Sequence, residues 1–130
     1  VITPKPTQPT RQLADGAQLP VVQSLLNNAE SAILKGDLES ASRSLERAQR
    51  LAPQSVAIYK RLASVRLQQG RAAEAEQFAR KALVYATEAA QQSALWRLIA
   101  EAQQQQGNNE AAAESRAKAA QQGAAWQMLP

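Results

Sequence analysis

The chain contains no cysteine and no histidine. These two absences exclude a disulfide framework, a Cys/His zinc site, a thiol nucleophile and an imidazole base. Aromatic residues are scarce. Among 130 residues there are only Tyr59, Phe78, Tyr85, Trp96 and Trp126. A core so poor in rings has to be packed from Ala, Leu and Val. No run approaches the ~18 apolar residues of a membrane-spanning helix. No signal-peptide pattern is visible, and the start at Val1 reads as a processed or truncated product. The lack of cysteine suits an exported protein and a cytosolic one equally.

Catalytic constellations are missing as well. The five glycines are isolated from one another, so no phosphate-cradling loop is formed. The nine serines lie in helical patterns, and none sits in a Gly-x-Ser-x-Gly turn. Glu74 and Glu76 are two residues apart, which on a helix turns them to different sides as solvated charges. We expect no catalytic residues, no metal ligands and no cofactor: the chain reads as a non-enzyme.

What is present is Ala, Leu and Gln with almost no β-branched runs, a composition of high helix propensity. The opening VITPKPTQPTRQ, with Pro4, Pro6 and Pro9, lacks any apolar period. Residues 1–18 are therefore expected to form a disordered, polyproline-like tether, a spacer ahead of the folded part. Structure is expected from Leu19, with Pro20 in the first turn of a helix.

The decisive signal is internal repetition. Three helices end on a glycine, followed by a similar phrase: Gly36-Asp-Leu-Glu-Ser-Ala, Gly70-Arg-Ala-Ala-Glu-Ala and Gly107-Asn-Asn-Glu-Ala-Ala. The glycines are spaced by 34 and then 37 residues. Glycine there closes a helix in the left-handed conformation, and Asp37 and Asn108 offer side-chain oxygens to cap the next one.

The residues around these glycines resemble the tetratricopeptide repeat family. Leu25, Ala29, Ala32, Gly36, Ala41, Leu45, Ala48 and Pro53 fall on its positions in the first repeat. Tyr59, Leu62, Ala63, Gly70, Ala75 and Ala82 do so in the second, and Trp96, Ile99, Ala100, Gly107, Ala112 and Ala119 in the third. Ala29, Ala63 and Ala100 are expected where helices approach closely. Leu25, Tyr59 and Trp96 are expected to fill the space beside them. The resemblance implies an all-α fold of three helix-turn-helix hairpins stacked as a right-handed solenoid, with repeats at about 20–53, 55–87 and 91–122 and a short C-terminal cap at 123–130. Six helices are expected over 20–35, 38–51, 55–69, 72–87, 91–106 and 109–122. The three residues added near Thr87–Gln92 are expected in the last helix or loop of the second repeat. Arg116 stands where a bulky apolar residue belongs, so the third repeat is expected to have an exposed outer surface.

In this family the first helix of each hairpin lines a concave groove. The resemblance and the helical period together place Asn27 and Glu30, Lys60, Arg61 and Ser64, and Arg97, Glu101 and Gln104 on that groove as partner-binding residues. Gln23, Gln68 and Gln105 lie beside them. Lys60, Arg61 and Arg97 are expected to cluster at its centre and to suit an acidic or carboxylate-bearing peptide. The family's carboxylate clamp for chaperone tails is not reproduced, because Leu26 and Glu30 replace its Lys and Asn.

Charge is uneven. Between Ala41 and Lys81 nine basic residues face three acidic ones, a local excess of +6 within a net charge of +4. A positive belt around the middle of the solenoid is expected. It could attract an acidic partner, an anionic lipid or nucleic acid. Nucleic acid is the weaker reading, because only Tyr59 and Phe78 lie inside the belt for base stacking, and no nucleic-acid partner is expected.

Tether, composition and size together resemble bacterial envelope lipoproteins with tetratricopeptide repeats, of the type that binds and activates a class A penicillin-binding protein, a peptidoglycan synthase. This resemblance implies a monomeric, non-catalytic protein-protein interaction module in the periplasm, anchored to the outer membrane through an upstream lipidated cysteine absent from this chain. The readings beside it are a scaffold or assembly factor for pilus or secretion machinery, a generic adaptor with another peptide partner, and a cytoplasmic location.

Overall fold

A computed structural model describes residues 15–127, with side chains through Ala124. Residues 1–14 of the tether expected over 1–18, and Met128, Leu129 and Pro130 of the expected cap, lie outside the described residues; residues 15–18 already belong to the folded part, with Ala17 3% exposed and its N–H donating to Asp15 Oδ1 at 2.9 Å. Six helices follow in order: α1 (Pro20–Leu34), α2 (Leu38–Leu51), α3 (Val56–Gln68), α4 (Ala72–Tyr85), α5 (Ala89–Gln105) and α6 (Asn109–Gln127). Each packs against the next, and α3 also touches α5. The architecture is all-α, three antiparallel hairpins stacked in a row. No described helix is long and apolar enough to cross a membrane.

The hairpin turns are built alike. Gly36, Gly70 and Gly107 all take positive φ, between 77° and 83°. After each, a backbone N–H reaches back five residues: Asp37 to the Ala32 carbonyl, Arg71 to that of Arg66, and Asn108 to that of Gln103, at 2.8–2.9 Å. This satisfies carbonyls the ending helix would leave bare. The next helix then starts on a cap. The Asp37 carboxylate accepts the Ser40 N–H at 3.1 Å, and Asn108 Oδ1 accepts that of Ala111 at 3.4 Å. α3 is capped by Ser55 Oγ, which accepts the Ile58 N–H at 3.3 Å.

Helix boundaries differ from the sequence reading by two residues or more at two places, the α4–α5 junction and the end of α6. The three added residues do not extend the second repeat. α4 stops at Tyr85, while α5 begins at Ala89 and has 17 residues against 13 in α3. Glu88 opens α5 with its own N–H bound to Gln91 Oε1 at 3.4 Å, a side-chain cap that lets the helix start early. At the other end, α6 does not stop at residue 122 but continues through Gly123 to Gln127. Gly123 has no positive φ. A Cβ there would stand 3.5 Å from Ser93 Oγ. It serves close approach of α6 to α5, not helix termination.

The core runs along the stack as a ladder of alanines with one large residue per level. Ala29, Ala63 and Ala100 are at most 1% exposed. Leu45, Ile58, Leu62, Leu95 and Ile99 are fully buried, each contributing about 2 kcal/mol. Tyr59 is the centrepiece. Its ring stacks against Phe78 and Tyr85, with centroids 6.4 and 6.2 Å away. Its hydroxyl donates to the Pro53 carbonyl at 2.6 Å. A buried phenol therefore keeps a polar partner and ties α3 to the loop before it.

Candidate functional site

Stacking brings together charges far apart in sequence, and the first result concerns Arg66. It belongs to the expected positive belt by composition, yet it is only 5% exposed. Its Nη1 donates to Ser42 Oγ at 2.6 Å and to Gln69 Oε1 at 2.8 Å. Glu46 and Glu74 lie 3.5 and 3.1 Å from its other nitrogens, and the guanidinium sits 5.7 Å over the Phe78 ring. The Nε–Glu74 contact is an ion pair without hydrogen-bond alignment, since Nε has no hydrogen-bond partner. Arg66 thus joins α2, α3 and α4 and is lost to the surface belt. Arg80 is also paired, with Glu76 at 2.9 Å. The cations left for a partner in this stretch are Arg43, Arg47, Arg50, Lys60, Arg61, Arg71 and Lys81.

Glu76 is the hub of the second junction. It accepts from Arg80 at 2.9 and 3.0 Å, from Gln103 at 3.2 Å and from Gln106 at 3.0 Å. Partial burial pushes its carboxyl pKa up. The bonds from Gln106, Arg80 and Gln103, with the charge of Arg80, outweigh that and hold it below the ordinary glutamate value. Gln103 in turn accepts from Ser115 Oγ at 2.6 Å, which carries the network into α6. Asp37, fully exposed, is also held below its ordinary value, by the Ser40 hydroxyl first and then by the Ser40 N–H.

The eight residues expected to bind a partner lie on the first helices of the three hairpins, α1, α3 and α5. Asn27 and Glu30 are exposed on α1, Lys60 is exposed on α3, and Arg61 and Ser64 are half-buried beside it. Arg97 and Glu101 instead line a cleft of about 620 Å³ with Arg116, Ala119, Ala120, Gly123 and Ala124 of α6. Arg97 Nη2 donates to Ser93 Oγ at 2.9 Å, and Gln104 Oε1 accepts from Arg116 Nη2. Arg97 stands at the position of Lys60 one repeat along, and it borders this cleft with its guanidinium turned to Ser93. Leu26, at a clamp position of the family, is 6% exposed and belongs to the core. The sequence reading missed the small residues of α6 as a surface. The signal for them was Arg116 at an apolar position.

A second feature lies around Trp96, half-buried on α5. The Lys118 ammonium stands 4.5 Å from its ring centroid, and the Arg80 guanidinium 5.9 Å. Cations from α6 and α4 thus flank one indole. No group of acidic side chains able to hold a metal ion occurs among the described residues.

Three glycine-turned hairpins with alanine-packed seams and a polar surface along the first helices define an all-α repeat domain of the tetratricopeptide type. Among solved structures, the N-terminal domain of stress-induced protein-1 (STI-1) from C. elegans has this fold, with a TM-score of 0.72 at 19% identity, over 77% of this chain and 82% of that one. The globular C-terminal domain of P. aeruginosa LpoP matches at 50% identity with a TM-score of 0.75, over 78% of this chain and 96% of that domain. The chain belongs to the LpoP family. No protein-family model matches the sequence, and no curated protein matches it.

Proposed function

We propose that this chain is the non-catalytic interaction domain of an envelope lipoprotein that binds and activates a class A penicillin-binding protein. The observation that carries this reading is the 50% identity to the LpoP domain across nearly all of that domain. The surface supports it in kind: Lys60 and Arg61 on α3 and Asn27 and Glu30 on α1 offer a mixed polar face to a folded partner. Binding would favour the synthase conformation in which its sites are competent, and the activation obtained is limited by the differential affinity for that conformation. The domain would work in the periplasm, held to the outer membrane through a lipidated cysteine upstream, with the proline-bearing residues 1–14 as the reach between anchor and solenoid.

The test is glycan polymerisation by a purified class A penicillin-binding protein, with and without this chain. A Lys60→Glu/Arg61→Glu variant serves as control. Stimulation by the wild type and its loss in the variant are expected. Stimulation retained by the variant would move the contact off the groove. No complex and no stimulation would remove the synthase as partner.

A further inference from the structure

The hairpins present equivalent surfaces to whatever follows them, and two of the three are filled. By the repeat offsets, Leu45, Ala48 and Ala52 of the first hairpin correspond to Ala79, Ala82 and Ala86 of the second, and to Arg116, Ala119 and Gly123 of the third. The first two triplets are buried, and α3 and α5 pack on the helices that carry them. No described helix follows on the third. Its triplet borders an open cleft with Arg97, Glu101 and Ala120: Ala119 is buried against α5, Gly123 is half-buried and Arg116 is exposed. The floor is made of small residues, as in the filled seams. The difference is Arg116, exposed where Leu45 and Ala79 are fully buried.

We propose that this end seam receives an amphipathic helix of a partner protein, seated as a seventh helix, with small or apolar side chains on the Ala/Gly floor and a carboxylate between Arg97 and Arg116. Continuity of the stack specifies a helix, because the same surface takes a helix at both earlier levels. Charge specifies the carboxylate. In the filled seam Ile99 of α5 shares a buried cluster with Ala79, and at the third level a guanidinium stands in place of that alanine. Arg116 stands beside Gln104, and Arg97 donates to Ser93 Oγ through one nitrogen, so both guanidiniums border the seam and keep donors for a carboxylate. Glu101 on the same rim adds a site for a basic residue of the incoming helix. The inference goes beyond the proposed function: it concerns a second surface, apart from Asn27, Lys60 and Arg61, and does not depend on the partner being a synthase.

The probe is a side-chain-stapled peptide with the sequence of residues 89–105 carrying Ile99→Glu. It is titrated into the isotope-labelled whole chain and followed by amide shifts. Saturable shifts are expected at Arg97, Glu101, Arg116, Ala120 and Gly123, with Asn27 and Lys60 unmoved. Arg116→Glu should weaken binding by about tenfold or more. The same peptide with Ile99→Lys should then bind the Arg116→Glu chain better than the wild type. Lys60→Glu/Arg61→Glu should leave both affinities unchanged, which separates failure of the groove from failure of the seam. The proposal is overturned by no saturable shift up to about 1 mM, by shifts centred on α1 and α3, or by equal binding to the Arg116→Glu chain. Self-association in sedimentation that depends on Arg116 would also overturn it, assigning the seam to a second copy of this chain.

Discussion

Arg66 and Gln103 occupy the same position in successive hairpins, 37 residues apart, and both are 5% exposed. Each reaches back to the preceding second helix and across to its own. At the first junction the work is done by a cation held between Ser42, Glu46, Gln69 and Glu74. At the second it is done by a neutral amide between Glu76 and Ser115. The acids differ too. Glu46 and Glu74 have side chains 43% and 54% exposed, whereas that of Glu76 is 19% exposed. The first junction therefore buries the cation and leaves its anions in water. The second keeps its amide neutral and half-buries the anion. One repeat position can fix a seam by either route, because the backbone turn that presents it is the same. Only the second junction has a carboxylate among its largely buried members.

The comparison is broken hardest at Arg66. Arg66→Ala should cost about 3 kcal/mol in urea unfolding, since it removes buried bonds to two helices and leaves Ser42 Oγ bare. Arg66→Met, which keeps the stem over Phe78, should cost less. A loss below about 1 kcal/mol for the alanine variant would mean that the ion pairs do not hold the junction. Gln103→Ala should cost about 1–2 kcal/mol, because Ser115 Oγ loses its partner while Glu76 keeps Arg80 and Gln106. Equal costs at the two positions would erase the distinction.

A smaller and deliberately uniform effect is expected at the turns. Gly70→Ala and Gly107→Ala should each cost about 1 kcal/mol. A Cβ at either meets nothing within 4 Å, so only the left-handed backbone resists it. Unequal values would place the difference between junctions in the turns and not in the side chains. The smallest effect is in acid. The folded-state pKa of Glu76 is depressed, so its contribution is complete above the unfolded value near 4.3 and is lost as pH falls through the lowered one. Glu76→Gln should lower stability at neutral pH and flatten the fall below about pH 4, whereas Arg66→Met should leave that slope in place.

Most of the fold was legible because three glycines and their capping residues fix the hairpins locally. Gly36, Gly70 and Gly107 with Asp37 and Asn108 mark turns whose geometry depends on few distant contacts. Ala29, Ala63 and Ala100 mark the close approaches. The two boundary errors share a cause. Glu88 with Gln91 is a side-chain cap without glycine or proline, and Gly123 is a glycine without a turn, so punctuation by residue type misreads both. The site was legible in part. Helical period finds which residues face outward, such as Lys60 and Arg97, but not which outward residues meet across helices. Arg66 shows the same limit from the other side: a charge among charges in sequence, it is buried where Ser42, 24 residues away, accepts its hydrogen bond.

Trp96 has a further use. An indole flanked by Lys118 at 4.5 Å and Arg80 at 5.9 Å reports the local field through its emission wavelength and yield. Replacing Trp126 with phenylalanine leaves it the sole tryptophan of the chain. Its fluorescence then reads the spacing of α4, α5 and α6 without an added dye. Because Lys118 is two residues from Arg116, a ligand that displaces α6 should change the colour of the light the protein emits.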